Sequence, residues 1–312
     1  MDNLTHTLVG VTIGKAGLAR RTPMAMAALV IGANLADVDI LGLFFGQNLG
    51  FRRGITHGVL ALAVWPFILT GLLLAWDQYR RRHDADRPQP VAGQLLLVSA
   101  VALVSHPLLD WFNSYGMRWL MPFSGTWFYG DTWFIIDPWV WGTLLVVLWL
   151  GRGRPGHPRR AGPAQVGLGL LAVYAVGMWL GSWAGERMVR RELTTLGFGE
   201  PRAVMVAPVR INPFVRDVLI DDGRVYRRTT LAPGRPFALP AEAVIEPGLD
   251  AVDLAAVAAD PQGGQFLNWA RFPFARVEQV GDTTVVTLDE ARYTGAAGRS
   301  FARTEVRLLP RP

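Results

Sequence analysis

An uncharged run of 19 residues, from Gly58 to Trp76, constrains this chain more than any other feature. At a rise of about 1.5 Å per residue, a helix of that length crosses the roughly 30 Å hydrocarbon layer of a bilayer. Lipid offers no partners for backbone polar groups, so such a segment is expected to be helical. The run therefore predicts an integral membrane protein.

Five further segments are mostly apolar, and they divide into stronger and weaker candidates. The stronger ones are Gly93–Leu109, Thr132–Gly151 and Ala161–Gly185. The weaker ones are Leu4–Leu18, which carries Lys15, and Pro23–Leu35, which runs into Asp37. Together the segments predict a membrane α-helical bundle of about six hydrophobic helices.

The rest of the chain has a different composition. Residues 1–185 contain 9 acidic and 14 basic residues and no Glu, whereas residues 186–312 contain 16 and 17. The tail alternates in VLIDDGRVYRRTTL, which favours a hairpin, and TTVVTLDEARYTG and RTEVRLLP are typical of strands. We predict a transmembrane, metal-site helical domain over 1–185 and a mainly β, soluble C-terminal domain over 186–312. In the tail, Trp269 and Phe272 are expected to lie in the core. Asp289 and Arg292 are expected to form an ion pair at the surface.

Arginine clusters between the apolar segments predict the topology. The clusters are Arg20 and Arg21; Arg80, Arg81, Arg82 and Arg87; and Arg152, Arg154, Arg159 and Arg160. Basic loops tend to stay in the cytoplasm, so all three clusters are assigned to the inner side. We therefore expect a multi-pass protein of the bacterial inner membrane with its C-terminal domain on the periplasmic side. Arg52, Arg53 and Arg118 then lie outside, against the rule.

The same topology gathers histidines and aspartates near the outer face. His106 and Asp110 are four residues apart and share one helical face. Imidazole and carboxylate groups are good ligands for zinc and similar metals, and ionisable residues within apolar segments are functional candidates. The chain has no cysteine, which excludes a thiolate site. We predict a divalent metal site, for zinc or alternatively manganese, with candidate ligands His6, Asp37, Asp39, His57, His106 and Asp110.

This constellation favours a metal-dependent hydrolase. A metal-activated water would be the nucleophile, and Asp39 and Arg53 are the predicted catalytic residues. The general base would be whichever of Asp37 and Asp39 is not fully engaged with the metal. Arg52 and Arg53 are predicted to bind an anionic substrate group, such as the phosphate of a phospholipid or another phosphoester at the membrane surface. The basic residues flank membrane segments and form no basic stripe, so direct nucleic acid binding is not expected.

The order of the motifs resembles a known family. It comprises D-x-x-T-H at Asp2–His6, N-L-x-D-x-D at Asn34–Asp39, R-G-x-T-H at Arg53–His57, H-x-x-L-D at His106–Asp110 and N-S-Y-G at Asn113–Gly116. Over roughly residues 1–150 the chain resembles the bacterial family described as LexA-binding, inner-membrane-associated metal-dependent hydrolases. The family pattern would have His at Arg52, Pro at Ala36 and Ser at Gly58. A looser similarity to the helical zinc phospholipase C and single-strand nuclease group implies phosphoester hydrolysis.

Two alternatives belong to other functional classes. Intramembrane His and Asp residues also relay protons or ions in transporters, although no inverted repeat is evident here. The chain would otherwise be a non-catalytic regulatory or binding membrane protein with a structural metal, whose protein partner is unknown. An open coordination position favours catalysis, and a closed four-ligand site favours a structural metal.

Overall fold

A computed structural model describes residues 1–45, 48–153, 161–294 and 302–308. The chain divides into two compact units, one of Met1–Leu41 with Arg53–Leu180 and one of Gly42–Arg52 with Gly181–Pro312. The domain boundary predicted from sequence, between residues 185 and 186, stays a prediction. Arg154, Arg159 and Arg160 of the third arginine cluster lie outside the described residues.

The first 195 residues are mainly helical. The helices are α1 (Asn3–Lys15), α2 (Ala25–Leu35), α3 (Asn48–Phe51), α4 (Val59–Arg81), α5 (Ala92–Trp111), α6 (Pro138–Leu150) and α7 (Gly162–Thr195). Short 3-10 helices cover Leu18–Arg20 and Ala36–Phe45.

Four described helical segments are long and apolar enough to cross a membrane, namely Ala25–Gly42, α4, α5 and α7. Helices α1 and α6 contain 13 residues each, about 20 Å at the α-helical rise. Each of the six predicted hydrophobic segments thus contains a helix, and two of these helices are shorter than a membrane span. The expected membrane helical bundle followed by a β-rich part is confirmed.

Small residues let the helices of the first unit pack closely. A Cβ atom at Gly32 of α2 would lie 2.7 Å from Cβ of Ala102 in α5. A Cβ atom at Gly10 of α1 would lie 2.8 Å from the Leu29 carbonyl oxygen of α2. Helix backbones approach this closely only where side chains are small. The close approach brings the C-terminal ends of α2 and α5 together, where four of the candidate ligands are found.

Aspartates begin two of these helices. Asp2 caps α1 by accepting a hydrogen bond from the Thr5 backbone N–H at 3.0 Å. Asp137 caps α6 through the backbone N–H groups of Trp139 and Val140, at 2.9 and 3.1 Å. A capping carboxylate satisfies backbone donors that have no partner within the helix. Asp137, the only charge in its predicted segment, therefore marks where α6 begins.

The second unit contains two antiparallel sheets. The first has the order β1 (Ala203–Pro208), β2 (Arg216–Asp221), β3 (Tyr226–Leu231) and β4 (Val244–Ile245), and the second has β5 (Pro273–Val280), β6 (Thr283–Glu290) and β7 (Arg303–Leu308). Between them lie a 3-10 helix at Leu249–Ala251, α8 (Leu254–Ala259) and α9 (Pro261–Trp269), and a 3-10 helix at Ala291–Tyr293 follows β6. The β2–β3 hairpin and the two later strands were predicted from sequence and are confirmed.

The expected surface pair of Asp289 with Arg292 is wrong. Asp289 is buried and accepts two hydrogen bonds from Arg303, each of 3.0 Å. Arg292 is also buried, donates to Glu290 at 2.9 Å and lies 5.0 Å from the centre of the Trp269 ring. A buried charge requires a partner, and here Asp289 pairs with Arg303 and Arg292 pairs with Glu290. Trp269 and Phe272 are buried in the core, as predicted.

Candidate metal centre

Four predicted ligands converge in the first unit. Asp37, His57, His106 and Asp110 each offer one ligand atom, and these atoms all lie within 4.8 Å of one another. The Asp110 Oδ2 atom lies 3.4 Å from His57 Nε2 and 3.5 Å from His106 Nε2. Asp37 Oδ1 lies 3.8 Å from His106 Nε2. The cluster is compact enough for one cation to contact all four residues.

Three chain segments supply these groups. His106 and Asp110 project from one face of the last turns of α5, which continues through Pro107 without ending there. Asp37 lies in the 3-10 segment that follows α2, and His57 lies two residues before α4. The H-x-x-L-D spacing therefore places its two ligands as expected, and the close packing of α2 on α5 adds Asp37.

A backbone contact orients His106. Its Nδ1 atom lies 2.6 Å from the Ala33 carbonyl oxygen, which is only an acceptor, so Nδ1 carries the proton. The Nε2 lone pair then faces the cluster. Metal-binding histidines are held in this manner by a hydrogen bond from their other nitrogen.

Asp39 lies behind His57 rather than among the four ligands. Its Oδ2 atom lies 3.4 Å from His57 Nδ1 and accepts a hydrogen bond from the Arg53 backbone N–H at 2.6 Å. The Thr56 hydroxyl also lies 3.0 Å from His57 Nδ1. A carboxylate at this position favours the proton on Nδ1 and leaves Nε2 as a ligand atom. Asp39 was predicted both as a ligand and as a base, and its position supports a role in orienting His57.

Among the described residues, the atoms that meet at Asp110 Oδ2 are hydrogen-bond acceptors. The Nε2 atoms of His57 and His106 lie 3.2 Å apart, and among the described residues no group donates a hydrogen bond to the buried Asp110 Oδ2. An unsatisfied carboxylate oxygen is costly in an apolar interior. Two imidazole nitrogens and two carboxylates form the donor set that zinc, manganese and similar ions accept. The residues therefore fit a divalent cation.

Arg53 neutralises the other side of Asp110. Its Nη2 atom donates to Asp110 Oδ1 at 3.1 Å, and its Nη1 atom donates to Asn113 Oδ1 at 2.9 Å and to the Gly116 carbonyl at 3.0 Å. The side chain is buried, and its guanidinium lies over the Tyr115 ring at 4.7 Å. The predicted catalytic and substrate-binding roles of Arg53 stay predictions, while these contacts hold Asp110 in place. Arg52, the other predicted substrate-binding residue, belongs to the second unit.

His6 lies beside the four-residue cluster. Its ring stacks on His106 at 3.8 Å between centres and 15° between planes, and its Nε2 lies 3.3 Å from Asp110 Oδ1. Its buried Nδ1 has no hydrogen-bond partner among the described residues. The Met1 amino group also contacts Asp110 Oδ1. The predicted ligand His6 thus reaches Asp110 but is not one of the four grouped residues.

Sequence reasoning singled out no role for Asn113 and Gly116. Both belong to the N-S-Y-G motif, which follows the H-x-x-L-D motif after two residues. The Asn113 side chain accepts from Arg53 and also from the Tyr115 backbone N–H at 2.8 Å, which fixes the turn after α5. The short separation of the two motifs in sequence was the one indication that Asn113 and Gly116 contribute to the same site.

Comparisons with known proteins agree with a membrane protein. The family model described as YdjM inner membrane protein matches residues 1–184, which include every member of the four-residue cluster. The Bacillus subtilis (strain 168) protein described as "Uncharacterized protein YfhP" is 26% identical over 224 residues, or 67% of this chain and 62% of that relative. No solved structure matches the chain.

Proposed function

The chain belongs to the YdjM inner membrane protein family, and we propose that it is a membrane-bound, metal-dependent hydrolase. The convergence of four acceptor groups around a buried point carries this proposal. Burying two imidazole lone pairs and two carboxylates together in a membrane domain costs free energy, because ionisable groups are poorly solvated there. A bound cation would offset this cost, whereas apolar packing would not. Neither the family's description nor the relative's name states an activity, so the chemistry of the residues is the argument.

The proposed metal is a divalent ion, zinc or manganese. When bound, it would make a water molecule more acidic and so a better nucleophile near neutral pH. His57, His106 and Asp110 are completely or almost completely buried and would hold the ion from the protein side. Arg53 and Asn113 hold Asp110, and Asp39 and the Ala33 carbonyl hold the two imidazoles. Such fixed outer contacts are typical of a rigid metal site.

Asp37 is the ligand suited to catalysis. Its side chain is 14% exposed, whereas those of the other three residues are at most 1% exposed, so it lies at the accessible edge of the cluster. Its Oδ1 atom lies 3.8 Å from His106 Nε2, farther than the Asp110 Oδ2 atom at 3.5 Å. A carboxylate at the open edge can accept the proton of an attacking water. We assign the general-base role to Asp37, and Asp39 orients His57.

The proposed substrate is a phosphoester, with a phospholipid headgroup as one source. The cluster lies where α2 and α5 end and α4 begins, at one end of three candidate membrane spans. A substrate held at the bilayer surface would reach that depth without entering the hydrocarbon. The cationic Arg52, next to Arg53 in sequence, remains the candidate for contacting an anionic group.

We also propose that this end of the bundle faces the periplasm. The cluster is at one end of the helices, whereas Arg20 and Arg21 lie between α1 and α2, and the Arg80–Arg87 cluster lies between α4 and α5, at the other ends of the same helices. Positively charged loops tend to stay in the cytoplasm. A phosphatase reporter fused after Pro312 should be active, because that enzyme works only outside the cytoplasm. Activity of a cytoplasmic reporter alone at that position would contradict this topology.

The hydrolase proposal is tested by comparing turnover with metal content. The full chain in lipid is offered zinc or manganese and a panel of phosphodiesters, phosphomonoesters and glycerophospholipids. The wild type should turn over at least one class, and Asp37→Asn should keep its metal but lose most turnover. Asp84→Asn, an exposed carboxylate outside the cluster, is the matched control. Bound metal without turnover of any class in any lipid would overturn catalysis and leave a structural metal.

A further inference from the structure

The hairpin that connects β1 and β2 ends in two large apolar side chains. Ile211 and Phe214 are 67% and 73% exposed, among the most exposed large hydrophobic residues of the described chain. A soluble domain normally covers side chains of this kind, and clustered exposed apolar groups mark contact surfaces. We name the segment Val209–Val215 the β1–β2 tip.

The tip is a defined turn. The Val209 backbone N–H donates to the Val215 carbonyl at 3.3 Å, and the Val215 N–H donates to the Asn212 carbonyl at 3.2 Å. The Asn212 side chain accepts from the Phe214 backbone N–H at 3.0 Å. These bonds present Ile211 and Phe214 from a closed turn rather than from a loose loop.

The C-terminal part of α7 packs on the β1–β2 hairpin. Val189 and Leu193 of that helix form one buried cluster with valines and an isoleucine of both strands, namely Val204, Val206, Val218 and Ile220. A Cβ atom at Gly185 would lie 3.0 Å from Val206. Gly185 therefore lies beside β1 at a position two residues before the ladder ends at Pro208.

The last contact of this series reaches the base of the tip. A Cβ atom at Gly181 would lie 2.5 Å from the Arg216 guanidinium nitrogen Nη2, and Arg216 pairs with Pro208 at the end of the β1–β2 ladder. Ile211 and Phe214 lie two or three residues beyond that pair, which corresponds to about 7–10 Å of extended chain. The base of the tip therefore lies beside Gly181 of α7, a helix that is a candidate membrane span.

The helix at this level has the character of a membrane interface. Trp183 is 44% exposed, and the Arg187 guanidinium lies 3.8 Å from the centre of its ring. Tryptophan and arginine are enriched where membrane spans leave the hydrocarbon. Arg210, which precedes Ile211, is exposed. Basic residues near a membrane surface are attracted to anionic lipid headgroups.

We propose that the β1–β2 tip inserts Ile211 and Phe214 into the bilayer interface. The occupant of this surface is a phospholipid layer, because the base of the tip lies beside Gly181 of α7, a helix that is itself a membrane-span candidate. The second unit would then be anchored to the membrane at a second point besides α7. This inference does not depend on the metal centre or on any hydrolase activity.

The natural chain has no cysteine, which makes a direct test simple. Single variants Ile211→Cys and Phe214→Cys are labelled with an environment-sensitive fluorophore and reconstituted in vesicles of phosphatidylethanolamine and phosphatidylglycerol. Arg224→Cys, an exposed position in the turn at the opposite end of β2, is the matched control. Labels at 211 and 214 should emit at shorter wavelength than the label at 224. They should also be quenched by lipids that carry a nitroxide near the headgroup, and be shielded from iodide.

Two outcomes would overturn the proposal. Labels at 211 and 214 that iodide quenches as strongly as the label at 224 would show that the tip lies in water. Labels that are shielded from iodide but not quenched by the nitroxide lipid would show that protein, rather than lipid, covers the tip. The lipid assignment stands only if both lipid quenching and iodide shielding are seen at 211 and 214.

Discussion

The Nε2 atoms of His57 and His106 lie 3.2 Å apart in a buried site. Each ring has an oxygen partner at its Nδ1 atom, the Asp39 carboxylate for His57 and the Ala33 carbonyl for His106. With both protons drawn to Nδ1, the two facing nitrogens are acceptors, and the nearest carboxylate atoms are acceptors as well. A cation between them is the arrangement that satisfies all of these groups.

Asp39 should control the affinity of the site without being a ligand. Asp39→Asn weakens the partner of His57 Nδ1, and loss of such an outer contact typically lowers metal affinity by about 10–100-fold. Isothermal titration of the apo protein with zinc should show this weakening while the number of bound ions is unchanged. Asp84→Asn should bind as the wild type does. An Asp39→Asn protein with wild-type affinity would contradict the role assigned to Asp39.

Arg53 should be important for the stability of the first unit. Removing one partner of a buried ion pair costs about 3–5 kcal/mol, and Arg53→Met leaves Asp110 Oδ1 without its guanidinium. Arg53→Lys should recover little, because a lysine cannot donate to Asp110, Asn113 and the Gly116 carbonyl from one planar group. Thermal unfolding in detergent measures both variants. Arg82→Lys, at the exposed end of α4, should be neutral, and an equally neutral Arg53→Lys would argue against the geometry described.

Gly58 should not tolerate even a methyl group. A Cβ atom there would lie 2.2 Å from the Met121 carbonyl oxygen, and the adjacent Val59 N–H donates to the Trp119 carbonyl at 2.9 Å. Gly58→Ala must therefore push the chain at 119–121 away from the start of α4, at an expected cost of about 1–3 kcal/mol.

The control for Gly58 lies in α4, the helix that begins directly after Gly58. A Cβ atom at Gly71 would meet nothing within 4 Å, so Gly71→Ala should be neutral or stabilise the helix by up to about 1 kcal/mol. Thermal unfolding of both variants in the same detergent gives the comparison. Equal midpoints for Gly58→Ala and wild type would show that the loop at Met121 does not approach Gly58 as described.

The second unit should lose stability in acid through Asp222. Burial alone raises the pKa of this carboxyl group, but hydrogen bonds from the Val225 and Arg224 backbone and from Arg227 lower it further, to below its ordinary value. A carboxylate whose pKa is depressed on folding stabilises the fold above the unfolded pKa of about 3.9, and that stability is lost as the pH falls through the folded value.

Asp222→Asn should therefore make the unfolding of the second unit less dependent on pH between about 2 and 5, where Asp carboxyl groups titrate. Circular dichroism of the β signal during heating, at a series of pH values, measures the effect. Asp282→Asn, in the exposed turn between β5 and β6, is the control and should keep the wild-type slope. An unchanged slope in Asp222→Asn would contradict the contribution described.

Much of the fold could be predicted from local patterns. The uncharged run at Gly58–Trp76 gave α4, and the alternating stretch with its Asp-Gly turn gave the β2–β3 hairpin. The lengths of helices α1 and α6 could not be predicted from local sequence patterns. Helix α6 begins only at Pro138, because Asp137 serves as its cap, while hydrophobicity alone extends the segment back to Thr132.

Four of the six candidate ligands predicted from sequence lie together in the structure, whereas their arrangement could not be predicted. The residue types and the His106–Asp110 spacing identified the four converging residues, since ionisable groups in apolar segments are conspicuous. Asp37 faces the four-residue cluster and Asp39 lies behind His57, although both belong to the same 3-10 segment and are two positions apart. Sequence patterns do not distinguish the directions of two side chains so close together. The burial of Arg53 depends on the turn at Asn113, which is distant in sequence.

The most direct test of the account is the metal content of the full chain, purified in detergent without chelator. The protein should carry at least one zinc or manganese ion per chain, His57→Ala should lose it, and His83→Ala, an exposed histidine outside the cluster, should keep it. If the wild type contains no stoichiometric metal and takes up none on titration with either ion, the metal centre and the hydrolase proposed from it are both wrong.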